Sequence, residues 1–345
     1  MTAFNGLGRL HSTVALAIAA TTLVALAPGG ADAQEKVKVA TVAPKGTPWS
    51  ALLDKIKKRV HKASGKALKL KVYYGGRLGG EKETARETRE GRVQMWGGSS
   101  AALATIVPEL YALEMPFLFE SNEEADFVID KYARPHVEKL LAKRGFVLYQ
   151  FAENGWHGIG LRDRCITGPE SFKGVKLRSQ EASVYLDTFK ALGANPIEMS
   201  VPEVLPALKQ GTVDGFSNTP LFSFATSWYQ GVKFFTPTHH VYQPAIVAYS
   251  KKWFDKQSKE HQKLLLENVD GYQKEGRQGV RKIRDGLLQN FVKSNIKLCK
   301  ISDAQRAKLK AATSKVFGTY KKKTSKQGRA LYKAIEDGKK AWAKR

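Results

Sequence analysis

The order of apolar and polar positions along the chain predicts alternating strands and helices. A segment that alternates at 37–42 is followed by a helical pattern at 49–64. A strand at 68–74, a charged helix at 81–90 and a strand at 93–96 come next. This β-α-β-α-β order is typical of parallel strands that are covered by helices on both faces.

The same alternation returns at 172–220, where the pattern reads strand, helix, strand, helix and strand. Arg178 stands at the end of the first of these strands, and Asn218 stands just past the end of the last. Ligands of open α/β sheets bind beyond the carboxyl ends of strands, so both side chains are candidate ligand contacts. A guanidinium matches both oxygens of a carboxylate, and an amide both donates and accepts. A surface salt bridge and an Asx turn are the alternative interpretations.

A long helical pattern without proline covers 258–293. One helix of 36 residues is about 54 Å long, more than a single domain of this size spans. Four glycines inside the segment leave two consecutive helices as the alternative.

The N-terminus predicts export. Residues 1–33 read as a secretory signal peptide, with Arg9 before an apolar stretch at 14–26 and an A-x-A cleavage site at 31–33. The stretch is short for a membrane span of about 20 residues, and a retained anchor is the alternative. We therefore expect a periplasmic protein whose mature chain has the length of two ordinary domains.

The chain is strongly basic, with a formal net charge of +25. Residues 251–345 alone hold 27 lysines and arginines against 9 aspartates and glutamates. Such a charge suggests anionic partners, but export and the lack of zinc or RNA-binding motifs argue against nucleic acid. A solvated basic surface is the simplest interpretation, and steering of anionic solutes or contact with lipid headgroups are the alternatives.

The residue patterns give no indication of an enzyme, a cofactor or a metal. No G-x-S-x-G, H-E-x-x-H, Walker or dinucleotide motif is present. His239 and His240 are adjacent, so on a strand they face opposite sides and make a poor metal pair. Cys165 and Cys299 form either a disulfide, as an oxidising compartment favours, or two buried thiols.

Several short motifs together resemble the solute-binding proteins of tripartite ATP-independent periplasmic (TRAP) transporters, the DctP-like family. The order and spacing of the motifs carry the resemblance over nearly the whole mature chain. The motifs are Gly75-Gly-Arg-Leu-Gly-Gly-Glu-Lys-Glu83, Met115-Pro-Phe-Leu-Phe119, Gly174-Val-Lys-Leu-Arg178, Asp214-Gly-Phe-Ser-Asn-Thr-Pro220 and Thr238-His-His240.

The resemblance implies a two-lobed α/β fold of the periplasmic-binding-protein type, type II-like, with a long helix spanning both lobes. Lobe I is expected at 34–155 plus 244–283, and lobe II at 156–243 plus 284–345. Both Cys165 and Cys299 then belong to lobe II, where a bond between them leaves the hinge free.

The resemblance also implies a function. Proteins of this family capture an organic acid between the lobes and deliver it to the permease subunits of a TRAP transporter. We expect a monomer in which Arg178 clamps the ligand carboxylate. The alternatives are a receptor of the same fold that presents its ligand to a sensor, and a receptor for a lipid-like or aromatic acid.

The chain departs from the family at a second arginine that many members have twenty residues before the clamp. Gly158 occupies that position here, so Arg162 or Arg164 is a candidate replacement. Trp156 and His157 beside the glycine are further candidates.

Aromatic residues and one carboxylate complete the expected site. Glu81 is a candidate partner for a hydroxyl or amine of the ligand, or a cap of its own helix. Two or three of the aromatic residues in these segments are expected to contact ligand, which favours an acid with an apolar body. The aromatic set is Trp49, Trp96, Trp156, Phe216, Phe222 and Trp228.

Overall fold

The structure is a computed structural model that describes residues 34–345, and the predicted signal peptide lies outside these residues. The described chain forms two β-sheets with helices on their faces, which confirms the predicted α/β class. The strands are β1 (Glu35–Thr41), β2 (Leu68–Tyr73), β3 (Met95–Ser99), β4 (Phe146–Trp156), β5 (Gly158–Leu161), β6 (Lys176–Ser179), β7 (Asn195–Glu198), β8 (Gly215–Asn218), β9 (Phe234–Thr236), β10 (Tyr242–Ser250) and β11 (Lys297–Leu298).

The two sheets share one design, in which parallel strands are joined by helices and antiparallel strands complete the sheet. The first sheet has the order β2-β1-β3-β10-β4, and β10 is antiparallel to both of its neighbours. The second has the order β11-β9-β5-β8-β6-β7, with β6, β7 and β8 parallel. The two β-α-β-α-β units predicted from the sequence are therefore present.

Helices connect these strands and extend the chain beyond them. They are α1 (Pro48–Ala63), α2 (Glu81–Glu90), α3 (Ser100–Ala104), α4 (Asn122–Val128), α5 (Arg134–Lys143), α6 (Ser183–Ala191), α7 (Val201–Gln210), α8 (Pro220–Ala225), α9 (Lys251–Phe254), α10 (Lys259–Leu265), α11 (Val269–Lys293), α12 (Asp303–Lys323) and α13 (Lys326–Trp342). Short 3₁₀ turns lie at Pro108–Leu113, Pro169–Phe172 and Trp228–Gly231, and a π-helical turn at Ile129–Ala133 joins α4 to α5. No helix within 34–345 is long and apolar enough to cross a membrane.

Helix starts near the sheet ends are fixed by local sequence. The Thr47 side chain caps α1 by accepting from the Ser50 amide, and Pro48 follows as its first residue. The Thr219 side chain caps α8 in the same way, and Pro220 follows it. α8 thus begins directly after β8, and α1 begins after a short loop that follows β1.

Two neighbouring strands carry the chain between the sheets. The chain leaves the first sheet at Trp156, the end of β4, and enters β5 at Gly158. It returns into β10, whose Tyr242 pairs with Trp156 and whose Gln243 pairs with Gly155. These two crossings lie side by side, and α11 connects the two sheet regions a third time.

The long helical segment predicted at 258–293 is present as α10 and α11, with a turn between them. Asn268 in that turn has a φ of 57°, a left-handed conformation that asparagine tolerates better than most residues. α11 has 25 residues, about 37 Å, and it contacts α1 and β4 of the first sheet region as well as α8 and β11 of the second. The segment therefore runs along both sheets, as the fold class requires.

The C-terminal helices pack on both parts of the molecule. α13 contacts α4, α5 and the turns at Pro108–Leu113 and Ile129–Ala133, whereas α12 contacts α6. The strands of each sheet come almost entirely from the range predicted for one lobe. α13 belongs by sequence to the range predicted for lobe II, but it packs against α4 and α5 of lobe I. The residue boundaries of the lobes stay a prediction.

A disulfide joins Cys165 to Cys299, with their Cα atoms 5.7 Å apart. Cys165 follows β5, and Cys299 follows β11, so both ends of the bond lie beside strands of the second sheet. The bond therefore connects the last strand of that sheet to its interior without spanning the two crossings.

Replacing both cysteines with serine is expected to lower the free energy of unfolding by about 2–4 kcal/mol, because the bond closes a long loop in the unfolded chain. The cysteines are 134 positions apart. Urea titration of the wild type and of the Cys165→Ser/Cys299→Ser variant measures the difference. Equal stability of the two proteins would contradict this account of the bond.

Candidate functional site

A cleft opens between the two sheets at their polar strand ends. It holds about 440 Å³ of space not filled by protein atoms, part of it open to solvent. The residues that line the cleft come from β1, β3, β4 and the starts of α1, α2 and α8. They are Thr41, Val42, Ala43, Pro44, Thr47, Trp49, Glu81, Gly97, Gly98, Asn154, Thr219, Leu221, Phe222 and Ala225.

Glu81 is the first residue of α2 and lines the cleft. Its carboxylate accepts from the Ser99 amide at 2.7 Å and from the Ser99 hydroxyl at 3.0 Å. Gly98 makes room for it, since a Cβ at that position would lie 2.5 Å from Glu81 Oε1. Burial raises the pKa of Glu81, while the Ser99 hydrogen bonds and the charge of Arg178 act in the opposite direction. The carboxylate is thus fixed in place beside a positive charge.

Arg178 lies in β6 and is only 1% exposed. Its Nε and Nη2 both donate to the Met199 carbonyl, at 3.1 and 2.8 Å, and the guanidinium lies over the Trp228 ring at 4.9 Å. Nη1 is buried and has no hydrogen-bond partner within 34–345. Burial lowers the pKa of Arg178 to about 10, and the charges of Glu81 and Glu181 oppose this shift. A buried cation with a free donor is suited to an anion.

Asn218 and Gln180 lie at the ends of neighbouring strands. Asn218 ends β8, which runs parallel to β6 with Arg178 opposite Phe216. The Asn218 side-chain oxygen accepts from the Thr219 amide at 2.7 Å. Gln180 directly follows β6, and both polar atoms of its buried side chain lack partners among the described residues. Sequence reasoning missed Gln180, although its place two positions after Arg178 puts it on the same side of an extended strand.

His157 lies at the first crossing, next to the position where the family arginine is missing. Its Nδ1 is 2.9 Å from the Ser217 hydroxyl, and its Nε2 is buried without a partner in the described chain. Burial lowers the pKa of His157 to about 3, so the ring is neutral at physiological pH. A Cβ at Gly158 would lie 2.5 Å from the Phe235 ring, so no side chain fits at that position.

Arg162 and Arg164 point away from the cleft. Arg162 Nη2 donates to the Leu208 carbonyl near the end of α7. Arg164 pairs with its neighbour Asp163 at 2.6 Å on the surface. Neither side chain contacts Arg178. The polar side chain next to Gly158, where the family arginine is missing, is therefore that of His157.

The aromatic residues divide into cleft and core. Trp49 and Phe222 line the cleft. Phe216 is fully buried with its ring 5.4 Å from that of Trp228, and Trp96 is buried in the first sheet region. Trp156 donates to the Asn122 side chain at 2.8 Å and lines a small cavity beside α11 that adjoins the cleft, since Asn154, Thr219 and Leu221 line both. Of the six ligand-binding residues predicted from the sequence, only Glu81 lines the cleft, and Arg178 is near enough to affect its pKa.

A buried polar network connects the cleft to the crossing strands. The Asn154 amide donates to Gln243 Oε1 at 2.9 Å, and the Gln243 amide donates to Glu114 at 3.0 Å. The Tyr185 hydroxyl of α6 donates to the same Glu114 oxygen at 2.6 Å. Burial raises the pKa of Glu114 to about 7, against the hydrogen bonds that stabilise its charge. No sequence signal identifies this network, because its members are far apart along the chain.

Comparison with known proteins identifies the family. The model of bacterial extracellular solute-binding protein family 7 (DctP) matches residues 39–323. The chain belongs to this family. It is therefore a periplasmic solute-binding protein and not an enzyme, which confirms the resemblance and the location expected from the sequence.

Relatives and solved structures extend the comparison. A solute-binding protein of Verminephrobacter eiseniae is 31% identical over 66% of this chain and 68% of its own. The sugar acid binding protein DctPAm of Advenella mimigardefordensis, in complex with galactonate, has a TM-score of 0.83 and 25% identity over 88% of this chain and 99% of its own. A TRAP periplasmic solute-binding protein of Bordetella bronchispeptica, with density assigned to pantoate, has a TM-score of 0.82 and 26% identity over the same shares.

The neutral state of His157 predicts a pH dependence of stability. The unfolded chain binds a proton at this residue below about pH 6.5, but the folded protein does not until about pH 3. The stabilising contribution is therefore complete above pH 6.5 and is lost as the pH falls. Between pH 6 and 4, the wild type should lose about 1.4 kcal/mol per pH unit relative to a His157→Gln variant.

Urea titrations of both proteins at several pH values measure this difference. Glu114 and the other buried acids are common to both proteins, so their contributions cancel in the comparison. Parallel pH profiles for the two proteins would show that His157 is not kept neutral by burial.

Proposed function

We propose that the protein captures a small organic acid in the cleft, closes on it and delivers it to the permease subunits of a TRAP transporter as a monomer. The observation that carries the proposal is the buried Arg178, whose Nη1 has no partner in the described chain. A buried charge that lacks a hydrogen-bond partner is costly, and a ligand carboxylate supplies the missing acceptor. Two similar solved structures, one in complex with galactonate and one with density assigned to pantoate, support this class of ligand, since both compounds are organic acids.

Arg178 acts as the carboxylate anchor in this proposal. The Met199 carbonyl and the Trp228 ring fix the plane of the guanidinium before any ligand arrives. Pre-organisation reduces the entropy lost on binding, so the hydrogen bond to a carboxylate contributes more to affinity. Asn218, Gln180 and His157 supply further polar groups near the second sheet.

Glu81 orients the ligand by accepting a hydrogen bond from a hydroxyl near the ligand carboxylate. With both oxygens held by Ser99, its carboxylate can still accept a hydrogen bond from a ligand hydroxyl. We assign no ligand contact to Arg162, Trp156 or Phe216, because each has another partner away from the cleft.

Closure of the cleft follows from contacts across its mouth. Lys82 of α2 lies 3.4 Å from Glu198 of β7, which belongs to the opposite sheet. A Cβ at Gly76, in the turn after β2, would meet Pro202 of α7 at 3.4 Å. The buried bonds of Tyr185 to Glu114 and Gln243 also join the two sheet regions, close to the crossing strands. Opening is therefore a hinge motion about the crossing strands that loses the surface contacts. The ligand favours the closed state because it bonds to both sides.

Arg178→Ala is expected to weaken acid binding by at least about tenfold, since a hydrogen bond to a charged group contributes about 1.5–3 kcal/mol. Native mass spectrometry of the purified protein with a mixed library of organic acids first identifies a retained acid, and calorimetry then measures its affinity for each variant. Arg162→Ala is the matched control, because it removes an arginine of the same sheet region whose side chain bonds to the Leu208 carbonyl, away from the cleft. Unchanged affinity in Arg178→Ala, or an equal loss in both variants, contradicts the assignment.

Binding of the retained acid is expected to reduce the radius of gyration, because ligand contacts on both sides of the cleft favour closure. Small-angle X-ray scattering at saturating and zero ligand measures the change. Wild type in a buffer with an acid that calorimetry finds inert serves as the control. Identical profiles with and without the retained acid count against a closing receptor.

A further inference from the structure

The polar side chains that line the cleft are largely committed to the protein itself. Thr47 donates to the Pro44 carbonyl at 2.8 Å and accepts from Ser50. Thr219 accepts from the Phe222 amide at 3.2 Å, because it caps α8. Thr47 therefore has no donor left for a ligand, and Thr219 keeps its hydroxyl proton and one lone pair.

The remaining polar side chains of the cleft also form hydrogen bonds within the protein. Asn154 donates to Gln243, and Thr41 accepts from the Ala43 amide at 3.1 Å. The Trp49 indole donates to the Glu153 carbonyl at 3.0 Å. Both Glu81 oxygens accept from Ser99. Around Arg178, the buried polar atoms of Gln180 and His157 are free to meet the carboxylate end of a ligand. Away from that end, the side chains that line the cleft offer the hydroxyl protons of Thr41 and Thr219, the Asn154 amide group and spare lone pairs on their oxygens and on Glu81.

The other walls of the cleft are apolar and come from both sides. Val42, Pro44 and Trp49 face it from the first sheet region, and Leu221, Phe222 and Ala225 face it from α8. Gly97 adjoins the Trp49 ring, since a Cβ there would lie 3.4 Å from it, in van der Waals contact. An apolar ligand body would therefore be enclosed between an indole, a phenyl ring and aliphatic side chains.

We infer that the ligand is a monocarboxylic acid with a branched aliphatic or phenyl body and at most one or two hydroxyls, close to the carboxylate. The inference rests on the proposed function, because it assumes that the acid is bound between Arg178 and Glu81. A sugar acid carries a hydroxyl on nearly every carbon, and each hydroxyl loses its hydrogen bonds to water on entering the cleft. Hydroxyls that find no partner there cost free energy, whereas an apolar body gains from leaving water.

Two pairs of acids test the inference. 2-Hydroxy-4-methylpentanoate and 3-phenyllactate have the apolar bodies, and galactonate and gluconate are the polyhydroxylated counterparts. All four share the 2-hydroxycarboxylate end and a single negative charge, so only the body differs. Calorimetry at one pH and salt concentration should give at least about tenfold tighter binding of the apolar acids, the scale on which apolar pockets discriminate.

A variant of the cleft wall makes the test specific. Leu221→Asn should weaken binding of the apolar acids and reduce their advantage over the sugar acids. Leu266→Asn is the matched control, because Leu266 is 38% exposed and lies outside the cleft. Thermal unfolding of both variants establishes that they are folded before affinities are compared.

The outcomes separate this inference from the proposed function. Equal or tighter binding of galactonate or gluconate overturns the inference, and if Arg178→Ala then abolishes that binding, the proposed acid receptor stands. An unchanged preference in Leu221→Asn also overturns it, because the apolar wall would have no effect on selectivity. Binding of none of the four acids overturns it as well.

Discussion

The site depends on one buried cation that the protein holds but does not neutralise. Arg178 is almost fully enclosed, and its two bonded nitrogens both use a single neutral acceptor, the Met199 carbonyl. No carboxylate within 34–345 forms an ion pair with it, although Glu81 and Glu181 are near enough to affect its pKa. The free-energy cost of burying this charge is offset by packing in the surrounding core, including the cation–π contact with Trp228. A ligand anion is then the group that completes the arrangement.

The two crossing strands link this cation to the rest of the molecule. Asn154 lines the cleft, and its partner Gln243 lies on the adjacent crossing strand, hydrogen-bonded to Glu114. Tyr185 approaches the same carboxylate from α6 in the second sheet region. Because buried polar groups require particular geometries, the network fixes how the two sheets approach each other in this conformation. The arrangement of the cleft wall therefore depends on residues that no ligand touches.

The sequence predicted the two β-α-β-α-β units, but not the strand orders or the antiparallel strands of the two sheets. Periodicity located both β-α-β-α-β units, and the rule for strand ends placed Arg178 and Asn218 near one edge. The partners of Arg178 were beyond reach, because Met199 and Trp228 approach it only through tertiary packing. The sequence shows that Gly158 replaces the second family arginine. It does not show that the Phe235 ring of a neighbouring strand occupies the space a side chain at 158 would need. Periodicity also left the break at Asn268 open, since a left-handed residue interrupts a helix without changing the apolar pattern around it.

The excess positive charge and the buried arginine have different physical roles. Most lysines are exposed, and several carboxylates are used within the fold, as in the pairs of Arg277 with Asp130 and Arg281 with Asp126. Exposed charges are screened beyond about 8–10 Å at physiological ionic strength, so they affect how often an anion arrives more than how long it stays. Arg178 is shielded from that screening by burial. The basic surface thus favours anions in general, while discrimination among acids falls to the cleft, where free polar groups lie around Arg178 and apolar side chains form much of the remaining wall.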